Sequence, residues 1–269
     1  MRQLATALAI MLLTSRLGFA HYNMLLPDKP WAEKGEKVTF TYQFGHPYEH
    51  ELSDAPKPAA LVVITPTGER HQLDIEKLLT PVKKNGADGK KVTAWQFRYT
   101  PVERGDHTFV LKTAQIKHDD NTFIEDNVRV VLHVQTQNGW DHAVDPFLRG
   151  GGYDIRPYTR PYGLLPGMVF KGQVVEFVRL DVLGKPAIGA DPAIIAGGFA
   201  RVEIEKYNDK PVKNPPVDEL VTFVTKADRD GHFVTTLPEA GWWGITAVGG
   251  RQGKVLQRAT LWVHVDEKK

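Results

Sequence analysis

The sequence predicts an all-β protein built as two tandem β-sandwiches. Three observations predict it. Apolar and polar residues alternate in many short runs, the period of a half-buried strand. Gly, Pro and Asp-Gly turns separate those runs, as in sandwiches. Helical periodicity is nearly absent, with room for one short turn at Asp74 to Leu79.

In chain order, Val38, Phe40, Tyr42 and Phe44 alternate with polar residues and form the first expected strand. Gly45 to Glu51 is expected to be a loop. Ala60 to Thr65 reads as a buried strand closed by the turn Pro66-Thr67-Gly68. Trp95 to Thr100 alternates again. Arg104-Gly105-Asp106 turns the chain into Thr108 to Leu111, and Val128 to Val134 is the last strand of this half. Residues 139–163, rich in Gly, Pro and aromatics, read as a linker. Strand signals resume at Val174 to Val178, Arg201 to Tyr207, Val221 to Thr225, His232 to Leu237, Gly241 to Val248 and Ala259 to Val265. Asp228-Arg229-Asp230-Gly231 lacks the distal ligands of a calcium loop and reads as a hairpin turn. Trp242 and Trp243 must point to opposite faces of their strand. The expected organisation is therefore 21–138 as the first sandwich, 139–163 as linker and 164–266 as the second sandwich.

Residues 1–20 have the three parts of an export signal. Arg2 supplies charge, Leu4 to Leu13 is apolar, and Gly18-Phe19-Ala20 offers small residues before a cut. About ten apolar residues are too few to span a bilayer, which needs about 20. The expected product is periplasmic and not embedded in a membrane. The chain carries 34 Lys and Arg against 32 Asp and Glu; loss of Arg2 and Arg16 leaves 32 against 32. That neutral balance argues against a nucleic-acid partner. There are no cysteines, which excludes thiolate metal sites and Cys nucleophiles. Beyond residue 20 the only serine is Ser53, which nearly eliminates serine-hydrolase chemistry.

The chemistry-bearing residues are histidines. Cleavage after Ala20 would put an α-amino group and an imidazole on His21, able to chelate one metal. His46 stands at a strand end between Gly45 and Pro47; a turn-fixing hydrogen bond is its alternative role. His46 and His50 lie four apart, about 13 Å on an extended strand. Two ligands of one ion must lie within about 4 Å of each other. His50 is therefore only a possible extra ligand, if the loop folds back. His107 opens a strand after Gly105-Asp106, either as a corner residue or as a ligand at the sheet's mouth. His71 reads as surface, His133 as structural, and His142 is left open.

Several motifs run in order along the chain: His21 with Leu25-Leu26-Pro27, Gly45-His46-Pro47-Tyr48-Glu49, and Gly105-Asp106-His107. Gly139-Trp140-Asp141, Thr159 to Gly163, Gly184-Lys185-Pro186, Glu205 to Asn208 and Gly241-Trp242-Trp243-Gly244 follow. The ordered set resembles exported proteins described as periplasmic components of cobalt/nickel-type ABC uptake systems. The resemblance implies an N-terminal immunoglobulin-like sandwich and a C-terminal transthyretin- or prealbumin-like one. It also implies divalent metal handling, with His21, His46 and His107 as ligands. The sequence departs from that family in one place. A His-Tyr pair there follows Phe-Ile, whereas here Phe123-Ile124 is followed by Glu125-Asp126. Either Glu125 replaces an imidazole, or the ligand is lost and His118 compensates.

The leading expectation is a non-enzymatic periplasmic protein that binds a divalent transition metal, Ni or Co by resemblance and Cu or Zn by ligand chemistry. Its partners would be the metal and an inner-membrane metal transporter. His21, His46 and His107 would form the site, with Glu49, His50, His118 or Glu125 finishing the shell or backing it. Two alternatives stand beside it. One is a non-metal binding or adhesive module presenting Trp31, Tyr48 and Tyr153. The other is a copper oxygenase built on the same N-terminal His.

Overall fold

The computed structural model describes residues 21–86, 89–118, 121–141, 152–179 and 192–268. The expected leader, His142 and the Gly184-Lys185-Pro186 turn lie outside the described residues. The strands are β1 (Tyr22–Pro27), β2 (Trp31–Ala32), β3 (Val38–His46), β4 (Glu51–Ser53), β5 (Ala60–Ile64), β6 (Arg70–Gln72), β7 (Thr80–Asn85), β8 (Lys91–Tyr99), β9 (Gly105–Lys112) and β10 (Ile116–Lys117). They continue as β11 (Phe123–Val134), β12 (Tyr153–Pro157), β13 (Val169–Arg179), β14 (Pro192–Ala196), β15 (Arg201–Lys206), β16 (Thr222–Lys226), β17 (His232–Thr236), β18 (Gly241–Gln252) and β19 (Val255–Val265). Two single-turn helices, α1 (Ile75–Leu78) and α2 (Asp218–Val221), complete the described elements. The protein is an all-β sandwich, as the alternation predicts.

Three sheets build it. A five-stranded sheet runs β1-β3-β8-β7, with β4 on β3. A ten-stranded sheet runs β16-β15-β18-β19-β11-β9-β5-β6, with β10 and β2 on β11. A four-stranded sheet holds β12-β13-β14, with β17 on β13. The large sheet is continuous across both halves, because β11 and β19 pair in parallel from Phe123↔Val255 to Val130↔Trp262.

Period-2 geometry lets β18 and β19 serve two cores at once. Trp262 packs into the first core with Phe40, Tyr42, Phe97, Phe109 and Leu132, and Trp242 packs against it. Trp243, Leu261 and Val263 face the second core with Phe170, Val174 and Phe233. The Trp242-Trp243 pair thus divides between cores, and neither tryptophan is spent on an open surface. At the predicted turn, Asp228 uses its carboxylate on the backbone N–H groups of Asp230 and His232. The turn forms but the expected hairpin does not, because β16 before it pairs with β15 in the large sheet and β17 after it pairs with β13 in the four-stranded sheet.

Two strands contradict the local reading. β1 carries no alternation, since all six of its residues are buried. A strand buried on both faces reads as a plain apolar run. Its pairing with β3, from Tyr22↔Gly45 to Pro27↔Phe40, carries β3 to Gly45, and pairing with β4 carries it on to His46, where a loop was expected. β7 contains Pro81, Lys83 and Lys84 and lies at the edge of its sheet, the place where Pro and Lys are tolerated.

Candidate metal centre

The site is assembled at the head of β1. Asn23 and Tyr22 anchor the strand from both sides. The Asn23 side chain donates to Asp126 Oδ2 (2.6 Å) and accepts from the Tyr42 hydroxyl (2.7 Å), while Trp262 Nε1 donates to its carbonyl (3.1 Å). Tyr22 donates its hydroxyl to Glu203 (2.9 Å). Beneath them Arg258 forms a two-pronged pair with Asp126, Nε to Oδ1 and Nη2 to Oδ2, both 2.7 Å. The two side chains are 1% and 0% exposed. Arg258 Nη2 also donates to the His21 carbonyl (3.1 Å). The backbone of His21 is therefore held by a buried ion pair, which fixes where its side chain begins.

Opposite His21 stands His46 at the end of β3. Gly45 makes this possible: its φ is +146°, and a Cβ there would lie 2.1 Å from the Glu51 carbonyl oxygen. The His21 and His46 rings lie edge to face, 4.4 Å between centroids. A ligand nitrogen sits about 2 Å from its metal, so two imidazoles of one ion must come this close. His21 also stacks on Phe44 at 5.3 Å. Its imidazole pKa is pulled down to about 4, first by burial and then by His46, Arg258 and His118. At neutral pH it is uncharged, the form a metal requires. Behind His46, Nδ1 lies 3.8 Å from the carboxylate of Glu49. That distance is longer than a hydrogen bond. His21, Phe44, Ile116, Lys117, His118 and Ile124 line a cleft of about 260 Å³, with Arg258 at its base.

The second half of the chain clamps the loop after His46. Asn208 N–H donates to the Pro47 carbonyl (3.0 Å), and its side chain donates to the Tyr48 carbonyl (2.6 Å). Glu205 accepts from the Tyr48 N–H (3.1 Å). Two motifs about 160 residues apart, Gly45 to Glu49 and Glu205 to Asn208, thus meet in space.

Of the six candidate ligands, His21 and His118 line this cleft and His46 stands beside the His21 ring. The other three are corrected. His107 pairs with Leu132 on β11, whereas the cleft is reached by Ile124. Eight residues of strand separate those positions by about 26 Å. His107 is instead a buried corner residue, with Nδ1 3.3 Å from the Gly105 carbonyl and its ring beside Tyr99. Glu125 alternates away from Ile124 and Asp126 and pairs with Lys112 at 2.8 Å. His50 turns to the second half, donating from Nδ1 to the Asn208 carbonyl at 2.8 Å. Among the described residues no three His, Asp or Glu side chains gather closely enough to hold a metal. The described side chains supply two adjacent imidazoles here, His21 and His46.

His107 has a consequence for acid stability. Burial pushes its pKa below the ordinary value, against the raising effect of the Gly105 carbonyl, Glu103 and Asp106. Below about pH 6.5 the unfolded chain takes up a proton that the native His107 refuses. Its contribution is complete above that pH and is lost as pH falls toward the native value. His107→Gln should therefore flatten part of the fall in melting temperature between about pH 6.5 and 5. An unchanged slope would show that this imidazole does not titrate with folding.

The sequence reading missed Asp126, Arg258, Asn23 and Phe44. The signal for the first two was present. Asp126 occupies an inward position of β11 between Ile124 and Val128, and Arg258 an inward position of β19 between Leu256 and Thr260. Each charge demands a partner there.

Comparison with solved structures finds low likeness. The chain is similar to the D0-D1 domain of intimin at 12% identity and TM-score 0.22, covering 91% of this chain and 100% of that one. It is similar to a Ca²⁺-stabilized ice-binding adhesin of an Antarctic bacterium at 9% identity and TM-score 0.25, covering 93% and 50%. The ectodomain of mouse nectin-like molecule 4 gives 9% identity and TM-score 0.26, with 91% and 63% covered. The chain thus spans half to all of these structures, and at such scores they carry no functional argument. No curated protein matches the sequence. No described helix is long and apolar enough to cross a membrane. Residues 18–250 match the model of a domain of unknown function, DUF4198, and the chain belongs to that family.

Proposed function

We propose that this protein binds one divalent transition-metal ion at the head of β1, through His21 and His46, after export and cleavage behind Ala20. The observation that carries the reading is the 4.4 Å approach of the two imidazoles beside a cleft. Two side-chain donors fall short of a site; the α-amino group that cleavage would create on His21 supplies the third. Three nitrogen donors suit Ni²⁺, Co²⁺, Cu²⁺ and Zn²⁺, with Cu²⁺ bound most tightly in the intrinsic order. His118, on the cleft wall, is a further candidate ligand, and the Glu49 carboxylate lies 3.8 Å from His46 Nδ1. Nickel or cobalt specificity, a periplasmic location and delivery to an inner-membrane transporter rest on the resemblance alone; the family description names none of them. We read the protein as a carrier or sensor, because a ligand set is not by itself a catalyst.

The test is a calorimetric titration with each of the four metals. It compares protein whose amino terminus is verified as His21 with protein beginning at Gly18. One-to-one binding at about 1 µM or tighter, weakened roughly a hundredfold in the longer form, supports the reading. Equal affinities in both forms contradict it. A non-metal binding module is the second reading, favoured by a separate observation, the exposed indole of Trp31.

A further inference from the structure

We infer that a groove at the seam between the two halves is a ligand site for a neutral pyranose ring of an oligosaccharide. It stands apart from the metal cleft. His133 is nine residues along β11 from Ile124, about 30 Å of strand, so the inference does not depend on the proposed function.

Trp31 leaves 60% of its surface exposed although its backbone is held by pairing with His133. Two adjoining cavities, about 200 and 320 Å³, both take Trp31 and His133 as walls. Each is near the lower limit of small-molecule pockets, room for about one ring. The floor is built and rigid. His133 stacks on Tyr162 at 4.5 Å and 23°. Asp106, fully buried, accepts from His133 Nδ1 (2.7 Å), the Tyr162 hydroxyl (2.8 Å) and the Asn138 N–H (2.9 Å). With Nδ1 committed to that carboxylate, Nε2 is the ring nitrogen of His133 left for a ligand. Gln135, at the end of β11, holds φ of +60°, a region non-glycine residues seldom occupy without a local reason.

The walls decide the ligand class. Arg160, its guanidinium 5.6 Å from the Tyr162 ring, and Gln137 bring donors, while Asp266 and the Gln137 amide oxygen bring acceptors. Arg160 and Asp266 oppose each other in sign, so the groove has no single-sign field to collect phosphates or polyanions. Donors and acceptors around one exposed indole suit a ring whose hydroxyls both donate and accept and whose C–H face is apolar. Two cavities in succession suit two linked rings.

The test follows the tryptophan indole N–H resonances of the full protein by two-dimensional NMR. The probes are chitotetraose, cellotetraose and maltotetraose. Saturable shifts of the Trp31 resonance with at least one probe are expected. Trp31→Ala should weaken that binding about tenfold, while Trp31→Tyr should retain most of it. Trp31 is exposed, so the other indole resonances serve as an internal check that the variant is folded. No saturable shift with any probe up to roughly 10 mM, where such weak sites saturate, would overturn the inference. Binding that Trp31→Ala leaves intact would overturn it too.

Discussion

Asp126→Ala is expected to lose about 3–5 kcal/mol of folding stability, because it leaves a buried Arg258 without its counter-charge. For a chain of this size that is a fall in melting temperature of roughly 6–20 °C. Arg258 and Asp126 are 1% and 0% exposed and meet through two 2.7 Å hydrogen bonds. The same carboxylate holds Asn23, and through it the first strand. Replacing both partners by apolar residues, Asp126→Leu with Arg258→Met, should recover most of the loss, since no unpaired charge remains. That double variant separates stability from site geometry: it folds, but nothing holds the His21 carbonyl. Denaturant unfolding checks both arms. A loss under about 1 kcal/mol for Asp126→Ala would mean that water reaches the pair, and the account of how β1 is fixed would fail.

His46→Ala is expected to do the opposite, sparing the fold and removing the metal. Its side chain is 23% exposed and lies at the end of β3, so the stability change should stay within about 1 kcal/mol. Metal affinity of protein beginning at His21 should fall by about a hundredfold or more, beyond what loss of an outer-shell partner does. His107→Gln should leave affinity unchanged, because that ring is at the far end of β11. His50→Ala should change the loop's hold on Asn208 and not the metal. Affinity that survives His46→Ala but vanishes with His118→Ala would move the site across the cleft.

The difference between these histidines shows what was legible in the chain. The alternation in Val38 to Phe44 and in Trp95 to Thr100 is local, and both strands were legible from it. Local turn chemistry likewise marked the turn at Asp228 to Gly231, but not that the strands it joins belong to different sheets. The parallel pairing of β11 with β19 joins residues about 130 apart and leaves no trace in either segment. Because of it, two expected tandem sandwiches share one sheet. β1 was hidden for the reverse reason: burial on both faces erases the period. At the site, Gly45-His46 was legible as a strand end, but its partner depends on register. One residue of slip would turn every side chain to the other face. Glu125 shows this, since Asp126 next to it faces the first core and Glu125 faces Lys112. His107 belongs to the same motif order as His46, and only the antiparallel run of β9 against β11 carries it away.

The most direct measurement is a native mass spectrum of the exported protein, taken without denaturation. It reads the amino terminus and the bound ion together. The account predicts a chain that starts at His21 and carries one transition-metal ion, with the ion absent from the His46→Ala protein. A chain retaining residues before His21, or one starting at His21 with no metal after incubation with Cu²⁺, Ni²⁺, Co²⁺ and Zn²⁺, would contradict it.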